Sequence, residues 1–142
     1  MKINKIKYTS LWREKNKILI IDQRNLPFSF TIKKLTKFNQ VLHAISSMQV
    51  RGAPLIGIIA AYGIAFAKRE KLNLSIAKKL LLQTRPTAIN LKWALDRLTH
   101  SLENISENER PTKAMDLAHE VAEEDVFINK SIGEHGLELV KS

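Results

Sequence analysis

An uninterrupted apolar run in the middle of the chain, Leu55 to Ala67, constrains the fold more than any other feature. These thirteen residues include no charged side chain, and Pro54 stands directly before them. Proline favours the first turn of a helix, where its missing N–H group would have no partner anyway. The run has no polar stripe, so the helix is predicted to be buried on every side. At roughly 1.5 Å per residue it extends about 20 Å, too short for a bilayer core of about 30 Å.

The residues before this helix predict a small antiparallel sheet and an amphipathic helix. Ile18 to Ile21 is a hydrophobic, largely β-branched run, and Phe28 to Ile32 alternates apolar with polar residues after a polar break, which is typical of a hairpin. Tyr8 to Trp12 is predicted to add an edge strand. From Thr36 to about Gly52 the apolar side chains recur every three or four residues, which predicts a helix.

Three more helices are predicted after the central one. Ser75 to Leu82 predicts a short helix, and apolar residues from Leu91 to Leu102 predict another, with Pro86 near its start. A long helix is predicted to begin at Pro111 and to end near Gly136, because glycine commonly follows the last residue of a helix. The residues expected to point inward from it are Ala114, Leu117, Ala118, Val121, Ile128 and Ile132.

The whole pattern predicts one α+β unit. A small antiparallel sheet or hairpin, residues 1–34, precedes a mainly helical bundle of about five helices, residues 35–142. With 142 residues, 44% of them hydrophobic and 26% charged, the chain has the composition of a globular domain rather than of a disordered segment. It has no cysteine, which excludes disulfides and thiol nucleophiles within it. The N-terminus lacks the apolar core of a signal peptide, so the cytoplasm is the expected location.

The net charge of +9 is concentrated in the first half of the chain. Residues 1–71 hold 14 basic and 3 acidic side chains, whereas residues 72–142 hold 9 and 11. Such an asymmetry can indicate a surface for nucleic acid or anionic membrane, but these lysines are scattered among Ile and Asn rather than grouped with aromatic residues. A compositional bias is favoured, and neither nucleic acid nor membrane is expected as a partner.

Two arginines share a position at the start of a predicted helix. Arg51 stands three residues before Pro54, and Arg85 directly before Pro86. Free N–H groups and the positive end of the helix dipole attract anions there, and an arginine adds a bidentate charged fork. Gly52 would let a ligand approach the backbone closely. If the two positions converge in space, they could hold a phosphorylated small molecule; taken singly, each arginine is more often a solvated or capping side chain.

Other polar residues give weaker signals. The glycines at 52, 57 and 63 match neither the dinucleotide fingerprint nor a P-loop, and the four histidines are too dispersed for a metal motif. Asp22, directly after a predicted strand, is expected to form a turn or cap. Trp93 and Tyr62 are expected in the core, and Glu120 to Asp125 on a solvated acidic face.

Four stretches of the sequence resemble a known family in order and spacing. They are LIIDQRNLP (residues 19–27), AISSMQVRGAPLIGIIAAYGIAFA (44–67), TRPTAINLKWALDRL (84–98) and EEDVFINKSIGEHG (123–136). They resemble the N-terminal domain of the methylthioribose-1-phosphate isomerases of methionine salvage, within the wider family of initiation factor 2B subunits. The resemblance covers nearly the whole chain from about Trp12.

The resemblance implies a role for particular residues. In the isomerases, the positions of Arg51, Gly52, Ala53 and Arg85 contact the phosphorylated sugar, so these four are the expected substrate-binding residues. The family's catalytic thiol, in a Thr-His-Cys-Asn motif, and its acid/base Asp belong to a Rossmann-like C-terminal domain, and neither is expected in this chain. No catalytic residue, metal or cofactor is therefore implied here.

Several hypotheses stay open at this point. The first is the substrate-clamping half of the isomerase, inactive alone, working with a separately encoded C-terminal domain or left by a truncated gene. The second is a non-enzymatic interaction module related to the initiation factor subunits, with basic residues 1–37 as its contact surface. A fragment of a ribose-1,5-bisphosphate isomerase is a third. A phosphorylated sugar is the expected ligand, and a homo-oligomer remains open.

Overall fold

The computed structural model describes residues 2, 3 and 5–141 and shows a small sheet followed by helices. A two-stranded ladder of β1 (Lys2–Ile3) and β2 (Ile6–Lys7) precedes an antiparallel sheet in the order β3-β4-β5. The bounds of that sheet are β3 (Leu11–Glu14), β4 (Lys17–Ile21) and β5 (Ile32–Leu35), and those of the helices are α1 (Phe38–Ser46), α2 (Ala53–Arg69), α3 (Leu74–Thr84), α4 (Ile89–Leu102) and α5 (Arg110–Lys141). The predicted α+β architecture is confirmed.

The sheet differs from the prediction at both edges. The strand expected over Phe28 to Ile32 begins only at Ile32, where it pairs with Ile21. The preceding residues turn instead: Gln23 to Asn25 form a 3-10 turn, and the N–H of Ser29 donates to the carbonyl of Asn25 at 2.9 Å. Because that turn takes up the backbone hydrogen bonds of the segment, Phe28 stays outside the ladder and is exposed. The edge strand β3 begins at Leu11, three residues after the predicted start at Tyr8.

Helix α2 forms the centre of the core, as predicted. Every residue from Ile56 to Lys68 is buried, and α2 contacts each of the other four helices. Ile59, Ile64 and Phe66 are completely removed from solvent. Burying a large apolar side chain of this kind stabilises a fold by about 1.5–3 kcal/mol, so this one helix contributes a large share of the driving force for folding.

Two glycines allow the neighbours of α2 to approach closely. A Cβ atom at Gly57 would lie 2.8 Å from the backbone oxygen of Asn90 on α4. At Gly63 it would lie 3.0 Å from side-chain atoms of Leu81 on α3 and Val41 on α1. The absence of a side chain thus permits close packing at these two positions, and the contact with Asn90 sets the start of α4 directly against α2.

Helix α4 begins later than the position of Pro86 suggests. Its first residue is Ile89, three residues after Pro86, because residues 85–88 form a turn in which the N–H of Ala88 donates to the carbonyl of Arg85 at 3.0 Å. Arg85 is the C-cap of α3 rather than a residue at the first turn of α4. Trp93 is 49% exposed, so its expected place in the core is wrong. It lies away from the buried stripe and packs under the guanidinium of Arg97 at 5.3 Å.

Helix α5 does not end at Gly136. It continues through Gly133 and Gly136 to Lys141, because glycine inside a helix costs only about 0.5–1 kcal/mol relative to alanine. Its buried residues stop at Val121, so the inward positions expected for Ile128 and Ile132 are wrong. Among the described residues, no helix combines the length and the apolar character that crossing a bilayer requires.

The close approach at Gly57 predicts that Gly57→Ala destabilises the fold. The added methyl group would press on a backbone oxygen that cannot move without shifting α4, so a loss of about 1–3 kcal/mol in the free energy of unfolding is expected, measured by urea denaturation. Gly133→Ala is the matched control: nothing lies within 4 Å of its Cβ position, and removing a helical glycine should add about 0.5–1 kcal/mol. Equal effects of the two changes would contradict this packing.

Candidate anion-binding site

The loop that carries Arg51 is fixed by backbone hydrogen bonds to two other elements. The N–H of Gln23, in the 3-10 turn after β4, donates to the carbonyl of Gln49 at 2.9 Å, and the N–H of Val50 donates to the carbonyl of Ala44 in α1 at 3.4 Å. Gly52 then adopts a φ of 101°, a conformation that side chains other than glycine's rarely allow. The backbone here is therefore set by its neighbours, and it turns sharply into α2.

An ion pair between Asp22 and Arg24 flanks Gln23, the residue that hydrogen-bonds to that loop. Asp22 is 1% exposed and accepts two hydrogen bonds from the guanidinium of Arg24, at 2.9 Å from Nε and 2.7 Å from Nη2. Its Oδ1 also accepts from the backbone N–H of Arg24 at 3.2 Å. The hydrogen bond from the Arg24 side chain lowers the pKa of Asp22 below its usual range, although burial acts in the opposite direction. The expected turn and cap role of Asp22 matches this arrangement.

The starts of α2 and α4 lack the side-chain caps that close the starts of α1 and α3. Asn73 accepts from two N–H groups of α3, and Glu70 accepts from the N–H of Phe38 in α1 at 2.9 Å. Within the described chain, the N-cap residues of α2 and α4, Gly52 and Ala88, make no such bond. Each uncapped start presents free N–H groups and about half a positive charge, which favours an anion.

Two cavities adjoin these helix starts. One, of about 380 Å³, is lined by Pro54 at the start of α2 and by Ile89 and Asn90 at the start of α4. The other, of about 850 Å³, reaches from Gly52 and Pro54 along α2 and is walled by β3 and α5. Pro54 belongs to both, so the structure brings the two helix starts to one region of the surface.

The four predicted binding residues differ in how they meet these cavities. Gly52 lines the larger one; Arg51, Ala53 and Arg85 are not among the described residues that line either of the two. Arg51 is exposed and Arg85 half-buried. Neither guanidinium has a hydrogen-bond or ion-pair partner within the described part of the chain. Both side chains are therefore available to a ligand, and their assignment to the substrate stays a prediction.

The larger cavity contains a cluster of three hydrogen-bonding side chains that was not predicted from the sequence. The hydroxyl of Tyr62 lies 3.4 Å from Nδ1 of His119, and Nε2 of His119 lies 3.3 Å from a carboxylate oxygen of Glu123. From the sequence, His119 is one of four histidines too dispersed for a metal motif, and Glu123 belongs to a predicted solvated acidic face. The spacing of four residues between them on one helix was the available signal, since such residues are neighbours on a helix surface.

The fold defines a class of protein: an α+β unit in which a small antiparallel sheet precedes five helices, with two uncapped helix starts beside one cavity. Residues 49–142 match the model of the Initiation factor 2 subunit family, and the chain belongs to that family. The methylthioribose-1-phosphate isomerases of Gluconobacter oxydans (strain 621H) and Escherichia coli O45:K1 (strain S88 / ExPEC) are both 45% identical to it, over 147 and 139 residues. These matches cover 99% and 94% of this chain.

Two solved structures have the same fold. The 5-methylthioribose 1-phosphate isomerase of Pyrococcus horikoshii OT3 superposes with a TM-score of 0.83 at 33% identity over 91% of this chain. The delta subunit of translation initiation factor eIF-2B from A. fulgidus gives 0.82 at 34% identity over 92%. The chain spans only about 40% of the length of these proteins: 40% and 38% of the two isomerase sequences, and 40% and 41% of the two structures. The resemblance to the isomerase family is confirmed.

The ion pair between Asp22 and Arg24 predicts a contribution to the stability of the fold that depends on pH. Because the folded-state pKa of Asp22 is lowered, its contribution is fully present above the unfolded pKa of about 4 and is lost as pH falls through the folded value. Asp22→Asn should lower the free energy of unfolding by about 1–3 kcal/mol at pH 7. The difference from the wild type should shrink between about pH 4 and the acid limit of urea denaturation.

The matched control is Asp116→Asn, which removes an exposed carboxylate that has no partner in the described chain. It should change the free energy of unfolding by no more than about 0.5 kcal/mol. A loss for Asp22→Asn that stays constant from pH 7 to pH 3 would show that the charge on Asp22 is not the stabilising feature.

Proposed function

We propose that this chain is the substrate-clamping, N-terminal domain of a methylthioribose-1-phosphate isomerase and that Arg51, Gly52, Ala53 and Arg85 hold the phosphate of the sugar. The observation that carries this proposal is the pair of uncapped helix starts, α2 and α4, that open on one cavity. Arg51 directly precedes the N-cap residue of α2, Arg85 lies in the turn before α4, and neither has a side-chain partner among the described residues. The likeness to isomerases at 45% identity over nearly the whole chain supports the choice of substrate.

The proposed clamp accounts for binding rather than for chemistry. A phosphate at these helix starts would accept hydrogen bonds from the N–H groups of Ala53 and Leu55 and from the arginine forks, which suit its oxygens in bidentate geometry. The isomerisation itself moves hydrogen between C1 and C2 of the sugar while the phosphate stays on C1, and that step needs a general acid and base. In this proposal those groups come from the C-terminal catalytic domain of the complete enzyme.

An exposed apolar surface supports a second domain as the partner. On α5, beyond its last buried residue, Val126, Phe127, Ile128 and Ile132 are all exposed, and Ile89 and Trp93 of α4 are exposed beside them. The smaller cavity joins the two groups, since Ile89, Trp93 and Ile128 all line it. Val126 and Phe127 line the larger cavity. Exposed apolar residues grouped around the two cavities are typical of a docking site, and they border the proposed clamp.

The clamp predicts that Arg51→Ala and Arg85→Ala each weaken binding of ribose 1-phosphate. Losing a charge-assisted hydrogen bond costs about 1.5–3 kcal/mol, so each variant should bind about 10- to 100-fold more weakly in an NMR titration. Lys113→Ala is the control, because it removes the same charge from an exposed position on α5 without a side-chain partner in the described chain. Equal weakening by all three changes would show a nonspecific effect of charge and would overturn the clamp.

A second prediction concerns activity. The purified chain should show no turnover of methylthioribose 1-phosphate, because it supplies no acid/base pair for hydrogen transfer. Fused to the remaining portion of the Gluconobacter oxydans relative, it should give an active isomerase, and Arg51→Ala in that fusion should lower kcat/KM. Turnover by the unfused chain would contradict the proposal, and an inactive but folded fusion would favour a non-enzymatic interaction module.

A further inference from the structure

The larger cavity forms a groove along one face of α2, from Gly52 to Tyr62. Pro54, Ile58 and Tyr62 line it, and their spacing of four residues places them in one row on the helix. The row spans about 12 Å along the helix axis. Side chains in a helix lean toward its N-terminus, so the hydroxyl of Tyr62 lies closer to Gly52 than its Cα does. A ligand of the size of a pentose phosphate can therefore reach both ends.

The far end of the groove holds three hydrogen-bonding side chains in series. Burial raises the pKa of Tyr62 to about 12, so its phenol keeps its proton near neutral pH. Its hydroxyl lies 3.4 Å from Nδ1 of His119, a contact whose donor depends on the tautomer of the imidazole. Nε2 of the same ring faces Glu123 Oε1 at 3.3 Å, and a carboxylate oxygen only accepts, so Nε2 is the donor where these two atoms share a hydrogen bond. The imidazole is thus held between a buried phenol and a carboxylate.

His119 and Glu123 are both accessible to a ligand. Their side chains are 45% and 70% exposed, and both line the groove, whereas Tyr62 is buried beneath them. The second oxygen of Glu123, Oε2, has no partner among the described residues. An ionised carboxylate only accepts hydrogen bonds, so this oxygen suits the O–H groups of a polyol and repels an anion.

The remaining charges along the groove fit one orientation of a phosphorylated ligand. Arg13 and Lys130 also line it: Lys130 pairs with Glu134 at 3.6 Å, whereas Arg13, whose Nε donates to the carbonyl of Lys15 at 3.0 Å, has no carboxylate partner among the described residues, and its charge acts on the Tyr62 hydroxyl. Asp125 adds a negative charge on the same wall as Glu123. These two carboxylates repel a phosphate from their part of the groove, so the uncapped start of α2 is the favoured place for it, with the neutral hydroxyls beside Glu123.

We propose that Glu123 binds the hydroxyl groups of a phosphorylated sugar whose anionic end lies at the start of α2, and that His119, itself in contact with Tyr62, positions the Glu123 carboxylate. The inference rests on the proposed phosphate clamp and adds to it a sugar-recognition end. It makes the groove selective for a phosphorylated polyol over phosphate itself, because only the polyol reaches both ends.

The test compares two probes, ribose 1-phosphate and inorganic phosphate, by NMR titration of the full chain. Glu123→Gln and His119→Ala should each weaken binding of ribose 1-phosphate by about two- to tenfold, while the affinity for phosphate falls in neither. Glu120→Gln removes the same charge from the preceding turn of α5, outside the groove, and should leave the preference for ribose 1-phosphate intact. Tyr62→Phe keeps the ring and should weaken only ribose 1-phosphate, with a shift in the ¹⁵N signals of His119.

The outcomes separate this inference from the clamp. If Arg51→Ala abolishes binding of both probes while Glu123→Gln acts no differently from Glu120→Gln, the clamp stands and the sugar-recognition end is wrong. If the wild-type chain binds ribose 1-phosphate no more tightly than phosphate, the inference is also overturned. If it binds neither probe, both proposals fail. Thermal unfolding of each variant shows whether a loss of binding comes from a loss of fold.

Discussion

The complete enclosure of α2 is the constraint on which the rest of the structure depends. A helix without a polar face stabilises the protein only if neighbours cover every side of it, and here all four other helices contact it. Apart from the hydroxyl of Tyr62, the polar groups that α2 offers to other elements lie at its two ends. At the C-terminal end the protein satisfies them itself: the buried Nζ of Lys68 donates to the carbonyl of Leu72 and to Glu107, and Arg69 donates to the carbonyls of Asn16 and Thr36. At the N-terminal end, no side chain of the described residues caps the free N–H groups, and this end adjoins both cavities.

The same packing places a second helix start beside the first. Gly57 lies in the first turns of α2, and the backbone of Asn90, at the start of α4, rests against it. Any larger residue at position 57 would move α4 away, and the two uncapped starts would no longer share a cavity. The shared position of the two helix starts is therefore a consequence of how the core packs, since the contact that brings them together, between the buried Gly57 and the backbone of Asn90, lies beneath the surface.

Sequence patterns predicted the helices and strands that have regular apolar spacing. They did not predict the turns and element boundaries that local hydrogen bonds determine. The central helix and β4 follow directly from their apolar spacing. So does α1, but it ends at Ser46 rather than near Gly52, and Met48 beyond it has a positive φ of 60° that a helix does not allow. The start of β5 does not follow from such spacing, because Asp22 and the turn after it use backbone groups that a simple hairpin would have paired. The positions of Arg51 and Gly52 were predicted correctly relative to α2, but Arg85 lies at the end of α3 because residues 85–88 form a turn before α4. The meeting of Tyr62 with His119 joins residues 57 apart in the chain, which no local pattern can show.

The fold alone does not decide between an enzyme and a regulatory subunit. The isomerase of Pyrococcus horikoshii and the initiation factor subunit of A. fulgidus superpose on the chain almost equally well, at TM-scores of 0.83 and 0.82. Function then has to be argued from the site, because one fold can hold unrelated activities. A phosphate held at two helix starts is bound about equally before and during the reaction, since the phosphate stays on C1 throughout. Such uniform binding lowers KM without raising kcat, so the clamp serves catalysis only where other groups stabilise the transition state of hydrogen transfer. In the proposed function, the clamp is therefore one side of a shared site, and the other side supplies the acid and the base.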